Sequence, residues 1–462
     1  MSEVILLPTA NVYIGAEGIN LIVNDQKNFD QWRNLQPSHV QNWLTSTSFT
    51  GKGVALIPSP TGELSQAIFF CDTEDFFCCG DLAKMLPPGK YHCDEKNSQL
   101  LEKIVLGWYL GSYQFCAFKS NQDGDQKCQL FVQDSALLER VEKTARAVYL
   151  ARDLINTPAE NLMPQHLAWC AEKMAQTHTA TLRQWVGEEL LRDNFPTIYT
   201  VGRASEHPSR LIDLTWGDSA APKLTLVGKG VCFDSGGLDL KPSQGMRLMK
   251  KDMGGAAHAL ALAELIMANQ LPVRLRVLVP AVENAIGGNA FRPGDVITTR
   301  QGTTVEIDNT DAEGRLILCD ALAEACTEQP ELVIDFATLT GAARVALGTE
   351  LPALFCTHPD VAEAVAQQGS EIDDPVWPMP LHKAYRSMLN SEVADMVNSA
   401  ASPLGGAITA ALFLQEFVSP DTQWMHFDVM AWNNRKLPGR PVGGEAMGLR
   451  AVYNYLAGRF EP

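Results

Sequence analysis

Two stretches concentrate residues able to do hydrolytic chemistry. The first, NTDAEGRLILCDAL over residues 309–322, sets Asp311, Glu313 and Arg315 on alternate positions directly ahead of an apolar run with helical spacing. Acids in a first helical turn suit the positive end of the helix dipole, so an exposed helix start would explain this stretch taken alone. The second, LVGKGVCFDSGGLDLKPSQGMRLMKKDMGGAA over 226–257, holds Lys229, Asp234, Lys241 and Asp252 among closely spaced glycines. Glycine at this density lets a backbone turn tightly or approach a ligand. If the two stretches converge, like charges ~4 Å apart repel by roughly 4 kcal/mol per close pair at an effective dielectric of about 20. Asp234, Asp252, Asp311 and Glu313 held together therefore call for cations. Two divalent metals would neutralise them and form a pair able to activate water. The spacing leaves the convergence itself open.

Other chemistries fit less well. Gly228 and Gly230 are not followed by glycine at 233, so the dinucleotide fingerprint fails, and no GxxxxGK[ST] loop occurs. Residues 309–320 come near a calcium loop, but Ile317 stands at its ninth position and Asp320 where a bidentate Glu is usual. EGRLILCDALAEA also reads as one continuous helix. There is no HExxH zinc motif and no GxSxG elbow, and His258 and His426 read as structural residues. Cys232 and Cys319 lie in apolar runs and read as core.

The elements that must position these groups are legible in outline. KLTLVG, VRLRVLVP, ELVIDFATL and QWMHFDVM are short apolar runs bounded by Gly, Pro or polar residues, and GGAAHALALAELIMANQ and GGAITAALFLQEFV are helical runs between some of them. Such alternation predicts an α/β fold, a mixed and largely parallel sheet covered by helices, with ligands at the carboxyl ends of its strands. SALLERVEKTARAVYLARDLINTP has apolar or small residues at 137, 141, 145, 148, 151 and 155. That is helical periodicity, with Asp134 or Ser135 as N-cap and Pro158 as the stop. The expected organisation is a smaller α/β domain over 1–134, with strand-like VILLPTA, INLIVND, GVALIPSP and QAIFFCD. A linking helix follows over 135–157 and a catalytic domain over 158–462.

With 462 residues, more than one core is expected. The eleven cysteines are odd in number and scattered apart from the adjacent pair Cys78 and Cys79, and no CxxC occurs. This argues against a disulfide framework and for a reduced, cytoplasmic setting. MSEVILLPTANVYIG lacks the basic and apolar regions of a signal peptide, and no run approaches ~18 apolar residues, so no membrane association is expected. A net charge of −17 works against nucleic-acid binding.

Taken together, VGKGVCFDSGGLDLKPS, MKKDMGGAA and NTDAEGRLILCDAL closely resemble the leucine (cytosol) aminopeptidase family of two-metal exopeptidases. ARDLINTPAENLMP, GNAFRPGDVIT, DFATLTGAA and GGAITAALFLQEFV extend the resemblance over roughly residues 147–455. It implies a metalloaminopeptidase that hydrolyses the N-terminal residue, preferably Leu- or Met-like, from peptides with a free N-terminus by a metal-activated hydroxide. Lys229, Asp234, Asp252, Asp311 and Glu313 are then the metal ligands, with Asp234 and Glu313 bridging. Lys241 and Arg315 are the catalytic pair, with a bicarbonate held by Arg315, and Met249, Thr338 and Met447 line the side-chain pocket. The implied metals are two zinc, manganese or magnesium ions per subunit, and the implied assembly is a homohexamer. A DNA-binding accessory role on the same scaffold is the alternative.

Overall fold

The structure, a computed structural model, describes residues 11–120 and 128–460. VILLPTA lies outside the described residues. The chain divides into two compact units. One holds residues 150–434 and 443–460; the other comprises the described residues up to Tyr149 together with Arg435–Val442. The division falls inside the helix Ser135–Asn156, whose N-terminus is capped by Asp134 Oδ1 accepting from the Leu137 amide at 2.9 Å. All six positions of its expected stripe, from Leu137 to Ile155, are buried.

The larger unit is built on a nine-stranded sheet. Across it run Trp377–Met379, Ala353–Cys356, Gln423–Asp428, Leu332–Ala337, Lys223–Gly228, Arg274–Asn284, Arg210–Trp216 and Thr181–Val186. Gly230–Asp234 pairs with the far part of Arg274–Asn284. The middle of the sheet is parallel, while Ala353–Cys356 on one side and Arg210–Trp216 and Thr181–Val186 on the other pair antiparallel. The sheet is thus mixed and largely parallel at its centre, as the alternation of elements implied. Leu332–Ala337 is buried at every position, because helices on both faces leave a central parallel strand no polar side.

Two helices press against the carboxyl ends of these strands. Gly254–Ala268 packs backbone to backbone on them: a Cβ on Gly255 would stand 2.0 Å from the Phe336 carbonyl oxygen, and one on Gly228 would stand 2.6 Å from Ala256 Cα. Glu313–Cys326 is buried along its whole length. The reading of residues 309–322 as an exposed helix start therefore fails, and so does the calcium loop. Asp320 sits mid-helix and accepts from the amides of Thr197 (2.9 Å) and Arg300 (2.8 Å).

The smaller unit has a six-stranded sheet in the order Val12–Ile14, Gln129–Val132, Lys90–His92, Ile19–Asp25, Leu64–Cys71 and Gly53–Pro58. It is parallel except for the hairpin of the last two. Arg435–Val442 returns late in the sequence to complete it. A Cβ on Gly80 would lie 2.3 Å from the Gly439 amide nitrogen, and the Arg440 guanidinium lies 4.5 Å from the Phe77 ring centre. Among the described residues no helix is long and apolar enough to cross a membrane.

Candidate active site

Five mutually parallel strands deliver one polar residue each at or just past their carboxyl ends. Lys229 follows Lys223–Gly228, Asp234 ends Gly230–Asp234, and Asn284 ends Arg274–Asn284. Thr338 follows Leu332–Ala337, and Asp428 ends Gln423–Asp428. This is where open α/β sheets bind ligands. The short turn of helix Met249–Met253 adds Asp252, and the start of Glu313–Cys326 adds Glu313.

The two sequence stretches converge. Ligand oxygens of Asp234, Asp252 and Glu313 lie within 4.8 Å of one another, and all three residues are buried. The Lys229 Nζ stands 2.8 Å from Asp252 Oδ2 and 2.9 Å from Glu313 Oε1, and donates to the Thr338 carbonyl at 3.0 Å. Lys241 brings in the fourth acid, with its Nζ 2.8 Å from Asp234 Oδ2 and also paired with Asp311 Oδ1. Gly314 permits this approach, since a Cβ there would stand 2.5 Å from Lys229 Cε.

Side chains that the sequence did not single out strap the loops together. Asn284 Nδ2 donates to Asp234 Oδ1 at 2.9 Å and to the Thr310 carbonyl at 3.1 Å, so one amide ties both stretches. Asp239 Oδ2 accepts from the Thr310 amide at 2.8 Å. Asn398 Oδ1 accepts from the amides of Asp308 (2.8 Å) and Asn309 (3.2 Å), and its Nδ2 donates to the Asn309 carbonyl at 2.7 Å. Asp428 Oδ1 accepts from the amides of Leu339 (3.0 Å) and Thr340 (3.2 Å), which orients the loop after Thr338. Nothing in spacing or periodicity marks these residues, because their partners lie far away in sequence.

Burial and crowding dominate the electrostatics. Burial first, then the neighbouring Asp234 carboxylate, pushes Glu313 up to about 8 and Asp311 up to about 6. Burial lowers Lys229, but the carboxylates of Asp252, Glu313 and Asp234 outweigh it and hold the ammonium above the usual lysine range. Lys241 is likewise raised against its burial, by Asp234 and Glu313. Lys251 goes the other way, lowered to about 8 by burial, and its Nζ has no hydrogen-bond partner among the described residues. Nor do Asp252 Oδ2, Asp311 Oδ1 and both Glu313 oxygens, for which lysine proximity supplies charge without hydrogen-bond geometry. Buried carboxylate oxygens left this way cost free energy unless a further cation meets them. A hard set of oxygens and one amine fits divalent zinc, manganese or magnesium.

The remaining expected residues lie around this cluster. Arg315 is buried, its Nη1 donates to the Asn398 carbonyl at 2.7 Å, and its Nε has no partner among the described residues. Burial lowers its guanidinium to about 10. Thr338 Oγ1 donates to Asp252 Oδ1 at 2.7 Å. Met249 and Met447 are buried, and the Met447 amide donates to His258 Nε2 at 2.8 Å. His258 Nδ1 lies 2.6 Å from the Gly254 carbonyl, so its ring is the neutral Nδ1–H tautomer and ties Met447 to the helix after Asp252. His426 pairs with Asp335 at 2.6 Å, deep in the core. Both histidines serve the scaffold.

Known proteins resemble this chain in sequence and in fold. Residues 149–453 match the family model of the cytosol aminopeptidase catalytic domain, and residues 18–132 match that of the M17 aminopeptidase N-terminal domain. The probable cytosol aminopeptidase of Geobacter sp. (strain M21) is 39% identical over 372 residues, which cover 77% of this chain and 75% of the relative. The crystal structure of the cytosol aminopeptidase from Coxiella burnetii superposes with a TM-score of 0.93 at 48% identity, covering 97% of this chain and 99% of that one. The bottromycin maturation enzyme BotP, solved in complex with Mn, has a TM-score of 0.85 at 30% identity over 98% of this chain and 100% of its own. With both of its domains matched and its carboxylate cluster at the sheet's carboxyl edge, the chain belongs to the cytosol aminopeptidase family of metal-dependent exopeptidases.

Proposed function

We propose that the chain removes Leu- or Met-like N-terminal residues from peptides, with two divalent ions of the zinc, manganese or magnesium class held by Lys229, Asp234, Asp252, Asp311 and Glu313. The observation that carries this reading is the set of buried carboxylate oxygens around the Lys229 amine that have no hydrogen-bond partner among the described residues. Ions bound there supply a Lewis acid for the scissile carbonyl and lower the pKa of water towards neutrality. With Asp234 and Asp311 engaged in holding ions, Lys241 would be left to offer its ammonium to negative charge developing on the substrate oxygen. Arg315 offers a planar fork whose Nε has no partner among the described residues, which suits a planar oxyanion such as bicarbonate. Met249, Thr338 and Met447 provide the surface for the first side chain, and methionine adapts to varied apolar shapes. The eleven unpaired thiols support a cytoplasmic setting.

The test is a panel of Leu and Met aminoacyl substrates assayed with each metal. Chelator-sensitive hydrolysis of the Leu and Met members is expected, with none of their N-acetylated forms, because an acylated nitrogen has no lone pair to offer a metal. Equal cleavage of acetylated peptides would sink the assignment.

A further inference from the structure

We propose that Cys71, Cys78 and Cys79 form a metal site of their own in the smaller unit, one that takes a soft monovalent cation, Cu(I). Their sulfurs lie within 4.8 Å of one another, and the Cys78 and Cys79 sulfurs are 3.6 Å apart. That is far beyond the ~2.05 Å of a disulfide. It is close to the about 4 Å that separates sulfurs arranged trigonally around an ion at a metal–sulfur distance of about 2.3 Å. No His, Asp or Glu joins the three among the described residues. A structural zinc site takes four protein ligands, whereas a soft monovalent ion suits an all-thiolate set and needs no fourth donor.

The frame around the thiols is stiff. Cys71 ends the strand Leu64–Cys71 at the carboxyl edge of the parallel part of its sheet. Cys78 and Cys79 sit in the following loop, which is pressed onto the helix Ser98–Ser112. A Cβ on Gly107 would stand 2.9 Å from the Cys79 carbonyl carbon, and one on Gly111 would stand 1.7 Å from the Gly80 carbonyl oxygen. Lys103 on that helix donates to the carbonyls of Thr73 (2.7 Å) and Glu74 (3.2 Å), which fixes the loop and places a positive charge near Cys78. This ammonium also offsets the negative charge of thiolates gathered around an ion. Cys79 is fully buried, whereas Cys78 is partly exposed and gives an entry path. Binding would expel the thiol protons to water.

The hard donors of the catalytic centre and the soft thiols here select different ions, so the two can be loaded independently. The test uses the full-length, metal-loaded enzyme, reduced and under anaerobic conditions, titrated with Cu(I) against a colorimetric Cu(I) chelator. One Cu(I) per chain should resist the chelator. Cys78→Ser should weaken that binding by about a hundredfold or more while Leu-substrate hydrolysis stays at the wild-type rate. Cys71→Ala provides the same readout if the first variant does not fold. Wild-type protein that yields all its Cu(I) to the chelator, or folded variants that retain as much as wild type, would overturn the site. Because activity is read on the same samples, loss of the copper site and loss of the aminopeptidase reading are told apart.

Discussion

Lys229 is an unusual residue to meet a metal. An ammonium has three donors and no lone pair, so it can act as a ligand only after losing its proton, and the surrounding acids hold that proton tightly. Divalent ions reverse the balance, because their charge replaces the lysine's as the counterweight to Asp252 and Glu313. Lys229→Ala should therefore empty one metal position and leave the other loaded, which metal analysis after dialysis reads directly. Two tightly held metals in that variant would make Lys229 a mere ion-pair partner. Glu313 gives the matching pH dependence. Without metal its folded-state value is raised to about 8 from an ordinary 4.5. The folded protein then binds more protons than the unfolded chain between these values, and its stability falls as pH rises through that window. Metal removes the penalty. The difference in melting temperature between metal-loaded and chelator-stripped protein should widen from pH 5 to pH 8, and a gap that narrows would count against this coupling.

At the scale of elements, much was legible from local pattern. The apolar runs KLTLVG and ELVIDFATL became central strands, and the 137–155 stripe became the buried face of a long helix. Each follows from burial on one or both sides, which periodicity reports. Whether residues 234 and 311 meet was not legible, since it depends on which strands neighbour each other and on straps such as Asn284 and Asn398. Asn398 lies in an unremarkable MVNSAAS stretch, yet it is fully buried and holds the 308–312 loop with both ends of its amide. Asn398→Ala should destabilise the protein by about 2–4 kcal/mol, since several buried backbone groups lose their partner. It should also lower kcat/KM by on the order of a hundredfold through displacement of Asp311 and Arg315. Denaturant unfolding and steady-state kinetics measure the two; wild-type kinetics would show that the strap does not position the site.

For the whole molecule, the family resemblance implies a homohexamer, and the surface offers material for subunit contact. Val345, Leu404 and Tyr385 are exposed on segments of the larger unit that touch one another, with Gly405 against Tyr385 and Gly406 against Ala342. Light scattering at micromolar concentration should report six chains, and a monomer would overturn the assembly. The smaller unit carries a different implication. Its last piece, Arg435–Val442, is encoded more than 280 residues after Tyr149, where the rest of the unit ends. Domains usually fold in the order in which they leave the ribosome. Here Phe77 and Gly80 wait for Gly439 and Arg440 until residues 150–434 of the larger unit have been made, and the larger unit in turn waits for the segment from Gly443 onward, so neither unit is complete until most of the other has been synthesised.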